Sequence, residues 1–116
     1  MKIISLDSIE KIGVAMEGAK YLQKQVPISA SDGSPSYCFR VFTIAPEGHT
    51  PYHTHPFEHL NYIIEGEGAV VTESGEERAV KKGDFALVLP KEKHQYRNKS
   101  ATEPMVMICA VPKEYE

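Results

Sequence analysis

Four of the five histidines in this chain fall within residues 48–61, which read G-H-T-P-Y-H-T-H-P-F-E-H-L-N. Imidazole is the commonest metal-binding side chain, so such a concentration points first to a bound ion. In an extended segment alternate side chains share a face, which puts His53 and His55 on one side and Thr54 on the other. Pro56 has no amide hydrogen for a strand ladder and marks a bend that can return His59 to the same pair. The histidine outside the stretch, His94, is the candidate for a fourth ligand. His49, between Gly48 and Thr50-Pro51, reads as a loop residue. The competing reading is a set of solvated histidines, although an internal, spaced cluster is unlike a terminal tag. No cysteine lies nearby, so zinc-finger spacing does not apply.

Bringing His94 to the other three requires two separate hairpins on a rigid scaffold. Residues 37–44 (Y-C-F-R-V-F-T-I) read as a strand apolar on both faces apart from Arg40 and Thr43. Residues 60–65 and 69–72 read as strands joined at Glu65-Gly66-Glu67-Gly68, where glycine permits a tight connection. A turn at 73–76 leads to a strand at 78–80. A second turn at 82–84 leads to a buried strand at 85–89 that stops at Pro90. Residues 91–93 turn the chain into a strand at 94–98, and 104–111 form a last, almost wholly apolar strand. Upstream, 2–5 read as a short strand, 6–11 as a turn or single helical turn, 19–26 as a strand ending at Pro27, and 29–36 as a loop. Many short strands with Gly/Pro punctuation and no long helix predict an antiparallel sandwich or barrel.

The chain's 116 residues suit one domain, with 1–36 as N-terminal strands and loop and 37–112 as the barrel. Its 13 basic and 16 acidic residues give a net charge of -3, and no basic run suggests nucleic acid. No apolar run approaches the length of a membrane span, and the start MKIISLDSIEK lacks a signal-peptide apolar region, so a soluble, cytoplasmic protein is expected. Cys38 and Cys109 lie in apolar runs and read as buried free thiols. Two strands apolar on both faces exceed what one small barrel interior can use, which predicts a homodimer covering one outer sheet face.

The order of these residues resembles the cupin superfamily over roughly residues 39–112. Its first motif is matched by Gly48, His53, His55, His59 and Gly66, its second by Gly83, Pro90, His94 and Asn98. Three features depart from the usual pattern. Glu92 replaces a glycine and the turn is one residue shorter. His59 stands at the acid position and is followed by Leu60 rather than glutamate. Glu58 has the wrong parity for His59's face. These departures are similar to a subgroup of small single-barrel cupins reading H-x-H-P-[aromatic]-E-H. The resemblance implies an all-β, single-domain antiparallel double-stranded β-helix (jelly-roll) barrel, with His53, His55, His59 and His94 as ligands of one divalent transition metal per chain (Mn, Fe, Ni, Cu or Zn).

Four neutral imidazoles leave a divalent ion its full charge, favouring Lewis-acid chemistry or the binding of an anionic group. The expected function is a metal-dependent enzyme acting on a small organic molecule, either oxygenase-like or a Lewis-acid isomerase or lyase. The alternative is a non-catalytic module that binds or senses a small ligand, or a purely structural site. Arg40, Tyr52, Gln95 and Tyr96 are candidates to orient ligands or meet a substrate. No Ser-His-Asp order, P-loop or dinucleotide fingerprint occurs.

Overall fold

The computed structural model describes residues 1–116 as nine strands and three single 3-10 turns. The strands are β1 (Ile12–Gly13), β2 (Lys20–Ile28), β3 (Tyr37–His49), β4 (His59–Glu65), β5 (Glu67–Val71), β6 (Glu77–Lys81), β7 (Phe85–Val88), β8 (Gln95–Asn98) and β9 (Met105–Pro112). All pairings are antiparallel, and the main path runs β6-β5-β8-β3-β9-β4-β7, with β2 on β3 and β1 on β2. This is a curled antiparallel β-barrel, as the strand spacing predicts. No helix is long and apolar enough to cross a membrane.

β3 ties the two layers together. Its first part pairs with β9 from Tyr37↔Pro112 to Ile44↔Met105, and its last residue, His49, pairs with Arg97 of β8. Between them the chain turns at Glu47, a non-glycine residue at φ 66°. A strand that changes sheet in this way aims the residues after it, 50–55, across the mouth of the barrel. The path ends at β6 and β7, which do not pair with each other, so a cleft opens between the two layers there.

The core follows from alternation along these strands. Leu22, Ile44, Ile63, Tyr96, Met105 and Met107 form its main cluster, and Cys38, Cys109 and Val111 a second one under Phe42 and Phe57. Ile44 and Met105 are wholly buried, each contributing roughly 1.5–3 kcal/mol in apolar transfer. Both cysteines are free and buried, as expected from their apolar runs.

Several local expectations are corrected. Residues 2–5 form no strand; the N-terminal segment instead wraps the barrel, where the buried Gln25 side chain donates to the carbonyls of Leu6 and Ile9 at 3.0 and 2.8 Å. β2 continues through Pro27 to Ile28, with its register to β3 shifted between Gln25 and Ile28, an irregularity that accommodates the missing amide. The strand at 85–89 is not buried: Phe85 is 81% and Leu87 58% exposed. It occupies the edge of the sheet, and one face of it has nothing to pack on. His49 is the last residue of β3 rather than a loop residue.

Candidate metal centre

The hairpin carrying His94 is zipped to the segment carrying His53 and His55 by backbone hydrogen bonds. His53 and His94 exchange amide-to-carbonyl bonds of 3.2 and 3.1 Å, and the Lys91 amide donates to the His55 carbonyl at 2.8 Å. Lys91, not a glycine, takes the left-handed turn position at φ 68°. The Glu92 carboxylate closes the same turn by accepting from the Leu89 amide at 2.8 Å, which shows how the loop forms without the usual glycine. The chain bends at Pro56-Phe57 before β4 begins at His59. All four imidazoles converge: the His55 ring lies 5.3 Å from His53, 4.8 Å from His94 and 4.0 Å from His59.

Hydrogen bonding sets the tautomers of two of these rings. Nδ1 of His55 lies 2.7 Å from the Phe57 carbonyl and Nδ1 of His94 lies 2.8 Å from the Glu92 carbonyl. A carbonyl only accepts, so both Nδ1 atoms carry the hydrogen and both Nε2 atoms present a lone pair. Those two Nε2 atoms face each other at 3.3 Å. Two lone pairs at that distance repel unless an electron-pair acceptor lies between them, so the donor set fits a cation. Ring nitrogens of His53, His55 and His94 all lie within 4.8 Å of one another. His59 is turned differently: its Nε2 is 3.1 Å from Nη2 of Arg40.

Burial pushes all four histidines below their usual range, His53 to about 4 and His59 to about 2, with neighbouring imidazoles and Arg40 adding to the effect at His53, His55 and His59. For His55 and His94 the backbone carbonyls oppose burial without reversing it. The rings are therefore neutral at pH 7, the form that binds metal. The unfolded chain takes up these protons below about pH 6.5 and the fold resists them, so metal-free stability is full above that pH. Stability is then lost as the pH falls toward about 4 for His53 and about 2 for His59. The expected loss is about 1 kcal/mol per pH unit for His59 and less for the more solvated His53. Urea unfolding of chelator-treated protein at pH 7 and pH 5 measures it; equal midpoints would contradict the buried, neutral placement.

The remaining candidates separate into contacts and bystanders. Arg40 reaches the cluster directly through His59. The Tyr96 hydroxyl donates to Oδ1 of Asn61 at 2.7 Å, and burial holds that phenol well above its ordinary pKa, so it serves as a neutral strut beside His94. Gln95 donates to the Thr50 carbonyl at 2.9 Å and braces the strand crossover. The Tyr52 hydroxyl caps the carbonyls of Thr72 and Glu73, away from the imidazoles. Sequence reasoning missed Tyr115 and Glu116, whose contacts with Phe57 and Arg40 join residues far apart in the chain, and Phe57, which stacks on the nearby His55.

Beside the cluster lies a cleft of about 790 Å³ between β5, β6, β7 and β8. Val70, Val80, Ala86, Val88 and Tyr96 supply apolar wall, and His94 is the member of the histidine cluster that also lines the cleft.

The cupin domain family model matches residues 40–111, more than half of the sequence, and the chain belongs to the cupin family. A search of curated proteins finds no match. Among solved structures, the chain is similar to the polyketide cyclase RemF from Streptomyces resistomycificus, with 25% identity and a TM-score of 0.91 over 97% of this chain and 79% of that one. It is also similar in fold to a cupin-2 domain protein from Rhodospirillum rubrum (21% identity, TM-score 0.81, 96% and 74% covered). A predicted oxalate decarboxylase from Thermotoga maritima shares the fold as well (20% identity, TM-score 0.81, 97% and 99% covered).

Proposed function

We propose that this cupin is a metal-dependent enzyme acting as a Lewis acid on a small, flat, oxygen-bearing organic molecule. The observation that carries this reading is the double position of His94, one of three convergent imidazoles and part of the wall of the cleft. His53, His55 and His94 are the ligands whose nitrogens already converge, and His59 is a fourth imidazole beside them whose Nε2 faces Arg40. An ion held there supplies Lewis acidity, polarising an oxygen donor of the bound molecule. The chain's own contribution is to fix the donors and the bound molecule: backbone carbonyls lock the His55 and His94 tautomers, and the cleft sets an apolar wall for a carbon skeleton beside polar groups such as Arg78, Asp84 and Lys93. Similarity to a polyketide cyclase supports an oxygenated, ring-forming substrate.

The test is to load metal-free protein separately with Zn, Mn, Fe, Ni or Cu and incubate it with small poly-β-ketone compounds. Zn-supported conversion to a product of unchanged mass, or of mass reduced by water, is expected. Turnover restricted to Fe with uptake of O₂ would assign the chain to the oxygenases instead, and tight binding without product would make it a binding module.

We also propose that a second copy of this chain covers the outer face of the β7-β4-β9-β3 sheet. Tyr37, Phe39, Leu60, Phe85 and Leu87 are all exposed on these strands, and the register sets Leu60 opposite both Leu87 and Ala110, and Tyr62 opposite Phe85 and Ile108. A continuous apolar face of this kind suits an isologous contact, since each copy offers what the other needs. Light scattering is expected to give a dimer for the wild type and a monomer for the double variant Phe85→Lys, Leu87→Lys. A monomeric wild type at tens of micromolar would end the proposal.

A further inference from the structure

Arg40 occupies an unusual position. It lies on β3 opposite Cys109 of β9, and its side chain is only 12% exposed. Nη2 lies 3.1 Å from Nε2 of His59 and 3.4 Å from Sγ of Cys109, and Nη1 lies 3.6 Å from a carboxylate oxygen of Glu116. Its Nε is buried with no partner. A buried donor left unmatched costs about 1–3 kcal/mol and calls for a reason beyond folding. A guanidinium can only donate, so His59 Nε2 is the acceptor and its lone pair is already engaged.

The last residues hold this arrangement from two sides. Glu116 accepts from Nζ of Lys24 at 2.9 Å as well as facing Arg40. Tyr115 stacks on Phe57 at 3.9 Å, Phe57 on His55 at 4.3 Å, and His55 on His59 at 4.0 Å. Residues 113–116 therefore touch the centre through a stack of rings and through one ion pair. Lys24, His59, Cys109 and the Phe42 ring, whose centroid is 5.1 Å from the guanidinium carbon, also face the guanidinium or its carboxylate, and none of them carries a carboxylate that could take Glu116's place.

We propose that Arg40 is a positioning residue that withholds His59 from the ion, leaving His53, His55 and His94 as the standing ligands, and that Glu116 sets how firmly it does so. This rests on the metal-binding reading above and adds a regulation to it. With Arg40 held, an ion would be bound by three imidazoles; with Arg40 released, His59 would be free to join them as a fourth.

Cobalt(II) titration of metal-free protein, followed by its visible d–d absorption, tests this without any activity assay. In the wild type, His59→Ala is expected to change Co²⁺ affinity by less than about 3-fold, whereas His94→Ala lowers it by about 100-fold or more. Arg40→Leu is expected to raise affinity about 10-fold and alter the absorption bands, and adding His59→Ala to it removes both changes. Glu116→Gln, at the end of the chain, is expected to act in the same direction and decides the matter if Arg40→Leu does not fold. The proposal is overturned if His59→Ala costs as much as His94→Ala, or if Glu116→Gln and every folded Arg40 variant match the wild type in affinity and spectrum. Absence of Co²⁺ binding by the wild type would instead remove the metal reading itself.

Discussion

His94→Ala is expected to lose most of its bound divalent metal while remaining folded. The ring supplies one of two Nε2 lone pairs that face each other at 3.3 Å, while the neighbouring imidazole of His59 is engaged by Arg40. Losing an outer hydrogen-bond partner of a metal ligand typically costs 10- to 100-fold in affinity, so losing the ligand should cost at least about 100-fold. The backbone bridge between residues 53 and 94 does not depend on the imidazole, and removing one of two opposed lone pairs relieves a repulsion. Metal-free stability should therefore change by no more than about 1–2 kcal/mol. Elemental analysis of purified His94→Ala and His55→Ala beside the wild type, with thermal melts of the metal-free forms, checks both halves. An unchanged metal-to-chain ratio would remove these residues from the ligand set.

The second large effect is on folding. Gly66 sits at φ 81°, and a Cβ built there would collide with the Pro104 carbonyl oxygen and come within 2.9 Å of Met105 Cα. Both obstacles are backbone at the start of β9, which cannot step aside without breaking its ladder to β3 and β4. Left-handed strain of about 1–2 kcal/mol and overpacking of about 1–3 kcal/mol add here. Gly66→Ala should thus lose about 3 kcal/mol and lower Tm by roughly 10 °C. Gly75 provides the comparison, with a similar φ of 88° but nothing within 4 Å of the added Cβ. Gly75→Ala should lose only the conformational part, about 1 kcal/mol. Equal melting temperatures for the two variants would show that β9 yields to the clash.

Much of the fold was legible because its signals are local. Gly/Pro punctuation between runs such as Y-C-F-R-V-F-T-I and M-V-M-I-C-A-V marks where strands end, and those runs became β3 and β9. The four rings lie together because the segment carrying His53 and His55 is bridged to His94 by backbone hydrogen bonds and the chain bends at Pro56-Phe57 before His59. Local composition misled at residues 85–89. An apolar run reads as buried, yet β7 is an edge strand, and whether a second layer covers an edge is a property of the assembled sheet. It misled again at residues 2–5, where β propensity had no strand to pair with.

The sequence by itself determined the all-β class, the cupin family and the four imidazoles that gather at one end of the barrel. Only the tertiary structure decided which of their nitrogens face one another, that Arg40 engages His59, and that Tyr115 and Glu116 reach back to the site. The reason is physical. Side-chain parity along a strand is written in neighbouring residues, but the direction of a lone pair is set by whatever donor or carbonyl the folded chain brings against the ring, and here those partners come from distant strands.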